Sequence, residues 1–222
     1  MKSMKSQQSG FTLVEIAIVL VIIGLLLGGI LKGQELINSA KAKSFAQDFR
    51  TIQTAMYGFQ DRFKGIPGDL AGADTKVTGA TLATTPAVAT VGNGQINGVW
   101  DSVTASDESC LFWQHVRLAG FMAGATAVNC ATGDAYVQIN ADGGRLGISS
   151  TPHITGMTGS YHICSFGVVG KIAKQLDIQL DDGVTNTGSF RAIASATAPA
   201  APGAAAAVPL VDGTSYTVCL SF

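Results

Sequence analysis

Glu15 is the only charged residue between Phe11 and Leu31, a stretch of twenty-one residues. A carboxylate inside a membrane-length helix costs roughly 2.5–3.5 kcal/mol on insertion scales. The fifteen Leu, Ile, Val and Phe residues around it return about 0.3–0.6 kcal/mol each, so insertion survives. Survival does not explain why the acid is there. An acid in that place asks for a cationic partner, and cleavage after Gly10 would create one in the α-amino group of Phe11. Within one helix that amine lies about a turn away, so the natural partner is the amine of a neighbouring copy; a simple charge effect at the helix N-terminus is the alternative. Gly10 and Phe11 are therefore candidate processing residues, and Glu15 is a candidate assembly residue.

Other reactive side chains stand in no pattern that a reaction needs. His115, His153 and His162 are the only histidines and form neither HxxxH nor HExxH spacing. His115 sits among apolar neighbours and reads as a core histidine. No serine stands in a GxSxG context, and no Walker or Rossmann loop is present. No enzyme activity is expected, and no catalytic residue is assigned. Cys110, Cys130, Cys164 and Cys219 are widely spaced with no CxxC pair, which disfavours zinc and suits two disulfides in an oxidising compartment. Four cysteines permit three connectivities, and spacing does not choose among them. The expectation taken forward is Cys110–Cys130, closing the second-helix region, and Cys164–Cys219, tying the last strand to a central one.

The elements that carry these residues follow from hydrophobic pattern. Residues 1–10 are short, polar and basic, and the apolar run that follows is roughly 30 Å long as a helix, enough to cross a bilayer core. An ordinary signal peptide has a shorter apolar region with a small cleavage residue behind it; here Gly10 stands in front. Beyond Lys32 the chain turns amphipathic. Phe45, Phe49, Ile52, Met56, Phe59 and Phe63 recur at helical period, which predicts one helix from Phe11 to about Phe63, ended by Gly65 and the Ile66-Pro67-Gly68 turn. Glu108–Gly124 reads as a second amphipathic helix. Strands are expected at Ala135–Ile139, Tyr161–Val169, Gln175–Gln179, Phe190–Ile193 and Ser215–Leu220, with Asp181-Asp182-Gly183 as a turn between two of them. Ala196–Pro209 is low-complexity and reads as an exposed loop.

The resulting division is 1–10 leader, 11–64 long helix with 11–31 in the membrane or filament core, and 65–222 globular head. The fold class is α+β: a long N-terminal helix, its first half membrane-spanning, laid on a C-terminal antiparallel sheet. A net charge of −1 provides no basic field, so no nucleic-acid partner is predicted.

Gly10-Phe11-Thr12-Leu13-Val14-Glu15 with the apolar run resembles the class III leader of type IV prepilins and type II secretion pseudopilins. The resemblance implies a prepilin peptidase that cuts after Gly10 and methylates Phe11, and a role for Glu15 in bringing subunits into a filament. Ile66-Pro67-Gly68-Asp69, GNGQING at 92–98, FWQHVRLAGFMAG at 112–124 and LDIQLDDGVTNTG at 176–188 also resemble stretches common in that family. Many type IV pilins carry a proline near the membrane end of the long helix, where this chain has Lys32 and Gly33. The implied role is a pilin, stored in the inner membrane and assembled into an extracellular filament. The alternatives are a pseudopilin of a short periplasmic piston and a tip adhesin or DNA-binding minor pilin. The implied partners are copies of itself, the peptidase, an inner-membrane assembly platform and the lipid bilayer. Some secretion pseudopilins bind calcium, so Asn93, Asn97 and Asp101, spaced by four, and Asp181-Asp182 are candidate Ca²⁺ ligands. Ordinary turn residues are the plainer reading of both, and no other cofactor is expected.

Overall fold

A computed structural model describes residues 12–85, 90–131, 135–195 and 202–222. Leader residues 1–10, Phe11 and residues 196–201 of the low-complexity run lie outside the described residues. The chain divides into two compact units, Met1–Ser39 and Ala40–Phe222.

Helix α1 (Leu13–Phe63) passes through both. Within the first unit its described residues are exposed from Thr12 to Lys32. Within the second, Ala42, Phe45, Ala46, Phe49, Ile52, Ala55, Met56 and Phe59 form a buried stripe, as the period predicts. Phe49 meets Phe190 edge to face with ring centroids 6.2 Å apart. The helix ends at Phe63, where the pattern places it, two residues before Gly65. Lys64 takes a left-handed conformation, φ 53°, and its N–H bonds to the Gln60 carbonyl at 2.9 Å. Pro67 follows and cannot continue the helix.

Helix α2 (Ala73–Lys76) is a single turn. Helix α3 (Glu108–Leu118) is shorter than its amphipathic pattern suggested. The chain turns off at Gly120, where Phe121 N–H bonds back to the Val116 carbonyl at 2.9 Å. Strand β1 (Leu146–Ser149) was not expected. It is four residues long and contains Gly147, whose Cβ would lie 1.8 Å from the Trp100 carbonyl oxygen. Strand β2 (His162–Val169) runs straight into helix α4 (Gly170–Leu180), followed by β3 (Phe190–Ala194) and β4 (Ser215–Ser221). The four strands form one antiparallel sheet in the order β1-β2-β4-β3.

Two expected strands are absent. Gln175–Gln179 lies inside α4. The alternation of Leu176 and Ile178 is a five-residue coincidence within Ile172, Ala173, Leu176 and Leu180, which have helical spacing. Ile172, Ala173 and Leu176 are buried, whereas Ile178 is 70% exposed. The Asp181-Asp182-Gly183 turn therefore joins a helix to a strand. Ala135–Ile139 makes only an isolated bridge, Ile139 to Arg145. Its carbonyls find mixed partners: that of Gln138 accepts Leu146 N–H at 2.9 Å, that of Tyr136 accepts from Arg117, and Tyr136 is buried against α3. The described part of the Ala/Pro-rich run is tethered, with Gly203 bonded to His153 and Thr155, and Ala206 to Ala192.

Disulfides join Cys110 to Cys130 and Cys164 to Cys219. The second links residues directly opposite in β2 and β4.

Candidate functional site

The amino end of α1 is built by Thr12 and Glu15. The Thr12 N–H donates to Glu15 Oε2 at 2.8 Å, the Thr12 hydroxyl donates to the same oxygen at 2.7 Å, and Glu15 N–H donates to Thr12 Oγ1 at 3.3 Å. This is a capping box: the first residue outside the helix and its third residue satisfy each other's orphan groups. The Thr-x-x-Glu spacing carries the signal in the sequence, masked there by the more conspicuous isolation of the charge. Glu15 is thus held in the first turn of the helix. Gly10 and Phe11 themselves lie outside the described residues.

Around and beyond this cap the helix is apolar on every side. The best membrane-length window of α1 has a mean hydropathy of 2.8 and none of it is buried. Leu13, Leu25 and Leu31 are 90%, 73% and 67% exposed. Such a surface is unstable in water, since each buried CH₂ is worth about 0.8 kcal/mol. Lipid or other helices must cover it.

A family model described as the prokaryotic N-terminal methylation motif matches residues 5–31. The chain carries a class III prepilin leader. Comparisons with curated proteins and with solved structures give no match. A leader of this kind running into an apolar helix fits a membrane-anchored precursor of type IV pilin or pseudopilin type, and implies processing by a prepilin peptidase. The capping box and the apolar surface lie within or directly beside the matched residues.

In the head, three of the four family-like stretches meet. Asp69 of Ile66-Pro67-Gly68-Asp69 accepts the amides of Gly92, Asn93 and Gly94 from GNGQING. Glu108, the first residue of α3, accepts Asn97 N–H at 2.7 Å and its side-chain amide at 2.9 Å through Oε2. His115 accepts Gly68 N–H on Nδ1 and donates from Nε2 to the Thr81 carbonyl, both at 2.9 Å, a neutral core histidine. Burial holds its pKa down. This cluster knits loops onto α3, and the roles of Asp69 and Glu108 escaped sequence reading because neither stands in a reactive spacing.

The first set of cation candidates is committed elsewhere. Asn93 Oδ1 accepts the Gln95 amide at 2.8 Å, and Asn97 serves Glu108. Asp101 is buried, its charge acting on Arg145 and His153. Asp181 and Asp182 lie together, joined by Asp177 of α4, with ligand oxygens within 4.8 Å of one another.

Glu108 yields a test of the knot. Burial, reinforced by the Asp69 charge, pushes its carboxyl up to about 7 from an ordinary 4.5. The folded state holds this proton more tightly than the unfolded one. Its contribution to stability is therefore full below about 4.5 and lost as pH rises through about 7. Glu108→Gln keeps an acceptor for Asn97 and offers Asp69 a donor without ionising. Between pH 5 and pH 8 it should gain on the wild type by about 2 kcal/mol, read by urea unfolding at both pH values. Parallel profiles would show that Glu108 does not titrate in this window.

Proposed function

We propose that this chain is the precursor of a structural filament subunit that acts by polymerising. It waits in the inner membrane with Phe11–Leu31 in lipid, is cut after Gly10, and enters a helical polymer whose core is made of packed copies of that segment. The single observation that carries this reading is the leader motif running into a helix whose apolar surface nothing in the described chain covers. In the polymer, neighbouring helices replace lipid around that surface. The finer assignment is a pilin of an extracellular filament; prepilin peptidase, an inner-membrane assembly platform and other copies of the chain are its partners. The role is structural and needs no catalysis by the chain itself.

The experiment is intact-mass measurement of the membrane pool and of sheared surface filaments. The mature chain should begin at Phe11 and carry an N-methyl group. Gly10→Val should leave a full-length, unassembled precursor, because a branched side chain blocks the peptidase's approach. A mature chain that retains Met1–Gly10, or begins after Leu31, sinks the proposal. Abundant subunit in sheared filaments supports the pilin; cleaved subunit confined to the cell envelope identifies a periplasmic pseudopilus instead.

A further inference from the structure

Asn93-Gly94 and Asn97-Gly98 are two Asn-Gly steps in one short loop. When glycine follows asparagine, the glycine nitrogen can attack the side-chain amide carbon and close a succinimide ring, since no Cβ crowds its approach. The reaction is ordinarily slow. The backbone nitrogen must lose its proton, and the amide oxygen must take up charge as the ring closes. At Asn93 the fold supplies a group for each demand.

Asp69 Oδ2 accepts Gly94 N–H at 2.7 Å, so a carboxylate stands on the proton that has to leave. Asp69 is buried, and burial holds its carboxyl above the ordinary carboxylate range, which makes it a stronger base than a solvated aspartate. The Gln95 N–H donates to Asn93 Oδ1 at 2.8 Å, the oxygen on which charge builds. Asn93 and Gly94 are exposed, and nothing lies within 4 Å of where a Gly94 Cβ would stand, so ammonia can leave and water can enter. Asn97 has the same glycine behind it and opposite surroundings. Its side-chain amide is tied to Glu108 Oε2 at 2.9 Å, it is half-buried, and a Cβ on Gly98 would lie 2.8 Å from Ser109 Oγ.

We infer that Asn93 is a self-modification site, at which the Gly94 nitrogen closes on the Asn93 side-chain carbonyl carbon with Asp69 as base. The Gly94 N–H proton passes to Asp69 and the N–Cγ bond forms. The Cγ–Nδ2 bond then breaks, and the same proton, carried by water, completes the leaving nitrogen as ammonia. Water opens the succinimide at either carbonyl and leaves aspartate or isoaspartate; nothing is oxidised or reduced. Either product sets a new carboxylate beside buried Asp69. Isoaspartate also lengthens the backbone by one methylene and carries the Gly94 N–H off its acceptor. Both loosen the hold of Asp69 on the 92–94 amides. The change runs one way, so it dates each subunit. The inference rests on the head alone and stands whether or not the chain polymerises.

The test incubates the full chain in mildly alkaline buffer, folded in detergent micelles and unfolded in urea, and maps its peptides with aspartyl and isoaspartyl products resolved. In the folded protein Asn93 should convert at least about tenfold faster than Asn97, a barrier difference of about 1.4 kcal/mol. In urea, where only the following glycine acts, the two rates should be similar. A folded ratio no larger than the ratio in urea would overturn the site, and this comparison needs no variant. Asp69→Asn keeps the size of the side chain but cannot take the proton. It should slow conversion at Asn93 by about tenfold or more and leave Asn97 as it was. An Asn93 rate that is unchanged or raised in Asp69→Asn would overturn the assignment of the base.

Discussion

Glu15→Leu should give a subunit that enters the membrane and is cleaved at wild-type efficiency, yet builds filaments at a tenth of the wild-type level or less, on the order of 1.4 kcal/mol in assembly. The substitution removes an insertion penalty of roughly 2.5–3.5 kcal/mol and a capping interaction worth about 1 kcal/mol, so the membrane pool should not shrink. Assembly loses the only charge on the buried segment. An unpaired acid and a free amine at similar depth are each costly in lipid, and pairing Glu15 with the Phe11 amine of an adjacent copy relieves both. Their attraction, strong in a low-dielectric setting, also fixes axial register, which hydrophobicity alone cannot do. The capping box supplies a sharper control. Glu15→Gln keeps a side chain that can complete the box with Thr12 but carries no charge. It should assemble as poorly as Glu15→Leu, with Glu15→Asp intermediate. The readout is the ratio of sheared filament to membrane pool, with cleavage scored by mass. Glu15→Gln filaments at the wild-type level would show that capping, and not charge, is the function of this acid.

Replacing Cys164 and Cys219 with serine should destabilise the head by about 4 kcal/mol in the chain-entropy account, and replacing Cys110 and Cys130 by about 3 kcal/mol. The difference follows from loop length, 55 against 20 residues of separation. Marginal domains have only 5–15 kcal/mol in hand, so the first pair matters more to the survival of the folded head. Urea unfolding of both double variants, beside the wild type with and without reductant, measures the two losses. Four free thiols in exported protein, found by non-reducing peptide mapping, would refute the oxidised state.

The parts of this fold that could be read from residues are those with long periods. The stripe from Phe45 to Phe59 repeats often enough that no other structure accommodates it, and the apolar run before it is too long and too uniform for a core helix. Short windows misled: Leu176 and Ile178 mimic a strand only when Ile172 and Ala173 are left out of view, and Leu146–Ser149 has too few residues to announce itself. The same error hid a juxtaposition. Asp177 and Asp181 are an i, i+4 pair, visible only once the segment is helical. Asp69 and Glu108 could not have been found by pattern, because their partners are backbone amides and an asparagine brought in from the 92–97 loop. At the amino end the acid was legible, while its partner Thr12 was hidden in plain sequence.

Strand β4 lies between β2 and β3, although it follows both along the chain. Until it arrives, β2 has only β1 beside it and β3 has no neighbour in the sheet at all. A polypeptide delivered amino end first therefore emerges with its central ladder missing and two strand edges open, a state prone to pairing with other chains. The membrane-held helix restrains such an intermediate near its point of emergence and away from its fellows in bulk solution. Order of delivery then becomes a checkpoint: the sheet closes only after Ser215–Ser221 has been delivered, so an incomplete chain has no finished head.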